Sequence, residues 1–316
     1  MKILLSGGAG FIGSHLAEEL LALGHHVVCA DDLSLGSLRN IAALKGRRGF
    51  EFVKLDLRDL KKLSALFKKN RFAAVFHLAA NSDIQAGERD MERDLGRTFL
   101  TTFNLLRCME QFGVKQLVFA SSSAVYGELK GKLSEDSGPL FPISYYGAAK
   151  LASEAYITAF CRQCGAKAWI IRFPNVIGPR ATHGVILDFA RKLKKDPARL
   201  QVLGNGRQCK PYLFVDDLVN AMLTVWHKSG SEVNCFAVAG RERSTVAQIA
   251  AETVRQSGLS GVKVQFGKAD RGWKGDVPQF NYSLKKISRL GWCAKLGSDA
   301  AVKKAVELIW EQEGRP

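Results

Sequence analysis

Tyr146 and Lys150 stand four residues apart in Ile143-Ser-Tyr-Tyr-Gly-Ala-Ala-Lys150, a spacing that puts both heads on one face of a helix. An ammonium so placed lowers the phenol pKa toward neutrality, where a tyrosine can take a proton from a hydroxyl. Four-residue gaps between Tyr and Lys arise by chance, so the company the pair keeps decides its meaning. Directly before it runs Gln116-Leu-Val-Phe-Ala-Ser121-Ser122-Ser123-Ala-Val-Tyr-Gly127, a buried strand ending in hydroxyls. A serine there can hydrogen-bond the same reacting oxygen, which completes a proton-transfer set for an alcohol carbon. The bland alternative for the serine run is strand-end capping.

An alcohol carbon that loses a proton from oxygen must also lose a hydride, and the N-terminus supplies a place for its acceptor. Ser6-Gly7-Gly-Ala-Gly10-Phe11-Ile12-Gly13 follows an apolar run, Lys2–Ser6, and opens a helical pattern, Phe11–Leu23. Gly7 permits the tight turn, Gly10 lets the backbone approach a pyrophosphate, and Gly13 lets the helix pack close to the strand. The phosphates then rest at the positive helix N-terminus. Asp31 follows roughly 20 residues on, at the end of the next strand, where a carboxylate accepts hydrogen bonds from ribose hydroxyls. With Asp32 beside it, it would repel the extra phosphate of NADP, so NAD is the expected cofactor, with Ser34 in the same loop. Arg39 and Arg47 are the nearby cations in sequence, and neither directly follows the strand. Asp56-Leu57, after the third strand, is placed to meet the adenine, and Leu78-Ala79-Ala80 offers small residues where the cofactor passes. His77, just before them, reads as a packing residue.

The elements that must position these groups alternate. Strands are expected at Lys2–Ser6, His26–Ala30, Phe50–Leu55, Ala74–Leu78, Gln116–Ser121 and Ala168–Ile171, with helices at Leu60–Lys69, Arg93–Phe112 and Tyr145–Cys164. That rhythm predicts an α/β fold, a doubly wound parallel sheet of Rossmann type. After Arg172 it changes: a loop with two prolines, a helix near Ile186–Lys195, strands at Leu213–Val215 and Asn234–Val238, and helices at Val246–Gly258 and Ala300–Gln312. The expected division is a dinucleotide-binding domain over 1–173 and a smaller substrate-binding domain over 174–316, with some segments returning to the main sheet.

Composition narrows the class. No run approaches the ~18 apolar residues that cross a membrane, and the short apolar N-terminus reads as a buried strand, so a cytoplasmic protein is expected. The formal charge of +16 would steer an anionic substrate. It is spread over 45–48, 68–71, 191–195 and 285–289 without a nucleic-acid motif, so no nucleic-acid partner is expected. Of seven cysteines only Cys161 and Cys164 have metal-ligand spacing, with no second pair or flanking histidine, so they read as reduced helix cysteines and no metal is expected.

These residues carry a family resemblance. The chain resembles the extended short-chain dehydrogenases/reductases, within their nucleotide-sugar epimerase/dehydratase group, and is most similar there to prokaryotic UDP-glucose 4-epimerases. The matching pieces are Gly7–Gly13, Asp31–Ser34, His77–Ala80, Ser121–Gly127, Tyr146–Lys150, Arg172-Phe-Pro-Asn-Val-Ile-Gly-Pro-Arg180, Thr182–Val185 and Tyr212-Leu-Phe-Val-Asp-Asp-Leu218. The resemblance implies that Ser122, Tyr146 and Lys150 are catalytic, with Ser123 as a neighbour on the substrate. It puts Asn175 on the diphosphate of a nucleotide sugar, Lys210 near the place of an arginine that contacts the same group, and Arg271 and Asp276 on the substrate. It also implies a homodimer built on two helices of the sheet. Ala148 and Thr98 depart from the family pattern, and Arg271 stands in a different register.

The resemblance further separates the reactions. A 4,6-dehydratase of this group carries Asp-Glu after its catalytic hydroxyl, where this chain has Ser123-Ala124. The expected reaction is therefore NAD-dependent epimerisation, foremost between UDP-glucose and UDP-galactose, through a keto sugar. Open beside it are other NAD-retaining reactions on nucleotide sugars (2-epimerisation, dehydration or uronate decarboxylation) and a non-catalytic dinucleotide sensor, which would be expected to lose the Tyr–Lys pair.

Overall fold

The structure, a computed structural model, describes residues 1–273 and 275–316. Its first half runs β1 (Lys2–Ser6), α1 (Phe11–Ala22), β2 (His26–Asp31), β3 (Phe50–Lys54), α2 (Leu60–Lys69), β4 (Ala74–His77), α3 (Ile84–Arg89), α4 (Met91–Asp94), α5 (Thr101–Gln111), β5 (Gln116–Ala120), α6 (Tyr145–Cys164) and β6 (Lys167–Arg172). The second half runs β7 (Val176–Ile177), α7 (Val185–Lys195), β8 (Arg199–Val202), β9 (Cys209–Lys210), β10 (Leu213–Phe214), α8 (Val215–Lys228), β11 (Val233–Ala237), β12 (Ser244–Thr245), α9 (Val246–Ser257), β13 (Lys263–Phe266), α10 (Lys285–Ser288) and α11 (Ser298–Glu313).

Seven strands form one parallel sheet in the order β11-β6-β5-β4-β1-β2-β3. Strands buried on both faces need continuous apolar runs, and Ile3-Leu-Leu5, Val27–Ala30, Ala74–Phe76 and Leu117–Ala120 are such runs. The chain steps outward from β1 to β3, then crosses to β4 on the other side of β1. Loops leaving β1 and β4 therefore part from each other, and the crevice between them at the carboxyl ends is where a ligand fits.

The later segments return to this frame. β11 pairs with β6 at the edge of the sheet, Val233 opposite Ala168, while β8 with β13, β9 with β12 and β10 with β7 form three small ribbons beyond it. One apolar core joins the halves, with Leu16, Ala17 and Leu20 of α1 in the same cluster as Leu218, Met222 and Trp226 of α8. Helix α8 is the longest element absent from the sequence expectation: the strand expected over Leu213–Val215 ends at Phe214, and the helix starts at Val215. Asp216 and Asp217 in its first turn and His227 and Lys228 in its last suit the helix dipole.

Between α4 and α5 the helix does not stop. Leu95–Leu100 continues it as a π stretch, so Met91–Gln111 is one helix with a widened middle. Threonine hydroxyls serve the carbonyls that a wide turn leaves poorly paired: Thr101 donates to Arg97 at 3.0 Å, and Thr102 donates to Thr98 at 3.0 Å. Among the described residues no helix is long and apolar enough to cross a membrane.

Candidate active site

A cavity of about 800 Å³ opens along the carboxyl ends of the sheet. Gly7, Gly10, Phe11, Ile12 and Gly13 line it, as do Asp31, Asp32, Ser34, Asp56, Leu57, Leu78, Ala79, Ala80, Ser122, Ser123, Tyr146, Lys150, Asn175, Lys210 and Asp276. The sequence expectation thus converges on one space, with one exception. Arg271 is not part of the lining; its guanidinium pairs with Glu128 at 2.5 Å. Its neighbours Gly272, Trp273 and Gly275 do line the cavity, and Lys274 between them lies outside the described residues.

The glycine turn has the shape of a phosphate cradle. Gly7 has φ +71°, and a Cβ there would sit 2.6 Å from the Ala79 amide nitrogen. A Cβ on Gly13 would overlap the Gly7 carbonyl, so the helix can approach only as glycine. Gly10 caps α1 without a side chain, and no acidic residue occupies the first turn, which leaves its N–H groups facing the cavity. Behind the turn, neutral His77 bridges Ser6 at 2.6 Å and Thr102 at 2.9 Å; burial holds its pKa down at about 3. It is a packing residue that ties the glycine turn to α5.

At the end of β2, Asp31 is nearly sealed and its two oxygens accept from the amides of Ala9 (3.0 Å) and Leu33 (2.8 Å). Burial raises its pKa, against those amide bonds. Asp32 does not act as a free second charge. Its Oδ1 accepts from the Ser34 amide at 2.8 Å and its Oδ2 accepts from Arg97 Nη1 at 3.3 Å. Asp56 is likewise held by Arg58, with contacts of 2.7 and 3.0 Å. Asp32, expected to add to the repulsion of NADP, is paired with Arg97, 65 residues away, which partly offsets its charge.

The end of the cavity at the serine turn depends on close packing. Ser144 caps α6 through the Gly147 amide at 3.1 Å. A Cβ on Gly147 would lie 2.6 Å from the Ala124 carbonyl, so this glycine inside the Tyr–Lys motif lets α6 press on the serine turn. The three serines are then sorted. Ser121 is buried and donates to Glu154 at 2.5 Å, away from the cavity. Ser122 and Ser123 line it, and Ser122 also caps the short turn Ser123–Tyr126 through the Ala124 amide at 3.1 Å.

Lys150 is buried, and Nζ donates to the Ala120 carbonyl at 2.7 Å. Burial pushes it down to about 7, against the pull of Glu154 and Asp94. Burial also pushes Tyr146 up to about 12; the Ser122 hydroxyl works against this and the Asp94 carboxylate adds to it. The depressed phenol expected from the spacing is therefore not what this environment gives. Desolvation is the leading cause of both shifts.

Asp94 and Glu154 were missed from sequence. Glu154 carries a signal that could have found it, since it continues the Tyr146–Lys150 face one turn further. It forms a buried ion pair with Arg172 at 2.6 Å. Asp94 is reached through the fold alone: Asn81 Nδ2 donates to it at 2.9 Å. At the far end, Lys210 pairs with Asp276, whose second oxygen accepts from the Gly272 amide at 3.0 Å. Asn175 sits beside Tyr212 on the same wall.

This arrangement can hold a dinucleotide along the glycine turn and a second, phosphate-bearing molecule between Ser122 and Lys210. Comparison with known proteins agrees. The model of the NAD dependent epimerase/dehydratase family matches residues 3–238. A UDP-glucose 4-epimerase of Mycolicibacterium smegmatis is 34% identical over 252 residues, covering 78% of this chain and 79% of that one. The crystal structure of a UDP-glucose 4-epimerase from Thermus thermophilus in complex with NAD superposes with a TM-score of 0.86 at 32% identity, over 98% of this chain and 99% of that one. A dTDP-glucose 4,6-dehydratase from Streptomyces venezuelae, solved with NAD, fits as well (TM-score 0.89, 26% identity, 99% and 98% covered). Overall shape does not separate the two reactions.

Proposed function

The chain belongs to the NAD dependent epimerase/dehydratase family, and from that premise we propose that it is a nucleotide-sugar 4-epimerase interconverting UDP-glucose and UDP-galactose. One observation carries the reaction type: the cavity-lining part of the serine turn, Ser122-Ser-Ala124, presents hydroxyls and carries no carboxylate of its own. Elimination of water would need an acid and a base at that turn, whereas removing and returning hydrogen at one carbon needs only a proton acceptor and a hydroxyl to hold the oxygen. The relatives from Mycolicibacterium and Thermus support the same choice.

NAD, when bound, supplies the acceptor and donor of hydride. Gly7, Gly10 and Gly13 and the N–H groups of α1 would hold its pyrophosphate, and Asp31 its ribose. Tyr146 takes the proton from the sugar hydroxyl, and Ser122 donates a hydrogen bond to the same oxygen as it becomes a carbonyl. Lys150, anchored on Ala120, supplies positive charge near the phenol when protonated. Asn175 and the Lys210–Asp276 pair face the diphosphate. The pair is close to neutral, so Lys210 positions that group more than it attracts it.

The test uses UDP-glucose or UDP-galactose carrying deuterium at C4, with no cofactor added. The product should keep its label at C4 with inverted configuration. Label lost to water, or a product lighter by one water, would show elimination instead. Turnover confined to another nucleotide sugar would keep the reaction and change the substrate.

We further propose a cytoplasmic homodimer. All seven cysteines are free thiols, which suits a reducing compartment. Tyr156 of α6 is exposed among Phe99 and Phe103, with ring centres 5.1 and 5.9 Å away, and exposed Leu100 extends this apolar face. A second copy covering these helices would bury it. Light scattering of Tyr156→Glu should report a monomer where the parent chain is a dimer.

A further inference from the structure

We propose that the Asp32–Arg97 ion pair is a second determinant of cofactor choice: Asp32 holds back the cation that a ribose 2′-phosphate would otherwise recruit. The inference rests on the NAD site alone and is independent of which sugar is turned over.

Asp31 has both oxygens committed to backbone amides and is buried, so its place at the end of β2 is fixed. Arg58 is bound to Asp56 through three contacts and does not line the cavity. Arg97 differs on both counts. It lines the cavity, its side chain is 33% exposed, and among the described residues its only hydrogen bond from the side chain is the 3.3 Å contact with Asp32 Oδ2. A guanidinium held by a single long bond is the group most easily redirected at this end of the site.

Backbone geometry explains its position. Arg97 lies in the π stretch, where the extra width turns neighbouring residues away from an ordinary helical register. Thr98, the next residue, faces inward and accepts from the Asn81 amide at 3.1 Å. Arg97 is left facing the loop after β2, across the cavity edge. Arginine is the side chain suited to a phosphate, because its planar fork can give two parallel hydrogen bonds. Asp32 already engages one arm of that fork through Nη1. A 2′-phosphate arriving beside Asp31 would have to compete with the Asp32 carboxylate for that guanidinium.

The experiment measures dissociation constants of NAD⁺ and NADP⁺ by titration calorimetry for the parent chain, Asp32→Ser, Arg97→Ala and the double variant. The parent should prefer NAD⁺. Asp32→Ser should narrow that preference by about 10-fold or more, a size set by one freed charge-assisted contact to phosphate. The double variant should lose that gain, and the gain should shrink as salt is raised. If Asp32→Ser leaves the preference within about twofold of the parent, the proposal is overturned. It is equally overturned if the gain survives in the double variant, since simple loss of Asp32 repulsion would then explain it. Asp32→Asn, which keeps an acceptor for the Ser34 amide, replaces Asp32→Ser should the latter unfold in a thermal scan.

Discussion

Lys150 Nζ lies 5.8 Å from the centre of the Tyr146 ring yet gives its hydrogen bond to the Ala120 carbonyl, at 2.7 Å. The pair is therefore arranged through a backbone anchor at the end of β5 and not by direct contact. Burial shifts the two groups in opposite directions, the lysine to about 7 and the phenol to about 12.

Tyr146→Phe removes the group assigned to take the substrate proton. Turnover should fall by about 10²–10⁴-fold while NAD affinity changes little. Steady-state rates together with a calorimetric titration of NAD check both halves. Near-normal turnover would take Tyr146 out of the mechanism.

The serines should rank. Ser122→Ala should slow turnover, though less than Tyr146→Phe, because the proton acceptor remains. Ser123→Ala should cost less than Ser122→Ala. Reversal of the two in kcat would shift the catalytic register by one residue. Ser121→Ala should show itself in stability instead, since its hydroxyl serves Glu154 in the interior.

Lys150 predicts a pH dependence of stability. Its folded pKa of about 7 lies below the ordinary value of 10.5. Between those values the unfolded chain binds the extra proton, so stability rises with pH across the window, and below it the full cost of a buried charge applies. Denaturant midpoints from about pH 7 to about pH 9 should climb for the parent chain relative to Lys150→Met. A constant difference between the two over that range would contradict the shift.

Breaking the Glu154–Arg172 pair should be costly. Both side chains are almost fully buried, at 7% and 8% exposure. Glu154→Ala leaves the guanidinium without its carboxylate, and a loss of about 3–5 kcal/mol in chemical denaturation is expected. A loss under about 1 kcal/mol would mean that water or another acceptor replaces the carboxylate.

The sequence by itself determined the framework. Apolar runs, glycines at 7, 10 and 13, an acid at the next strand end, and a Tyr–Lys pair at helical spacing are local patterns, set by period and by backbone geometry within a few residues. Each falls on the element expected of it, and Leu60–Lys69 and Tyr145–Cys164 match the structure to the residue. Glu154 was equally legible, lying on the same helical face as the pair. The one long element that escaped, α8, begins directly where a two-residue strand ends, so strand and helix periods run together there.

Tertiary structure decided the electrostatics and the partners. That Asp32 is paired with Arg97, that Asp94 reaches the Tyr–Lys pair, that Lys210 is paired with Asp276 and that Arg271 turns to Glu128 all join residues far apart in the chain. Charge interactions depend on distance and on exclusion of water, and neither is encoded in spacing along the chain. The same reason reverses the expected shift at Tyr146: the sequence shows a lysine one turn away, but only the fold shows that Lys150 is sealed from solvent and that the Tyr146 phenol sits in a packed cavity wall.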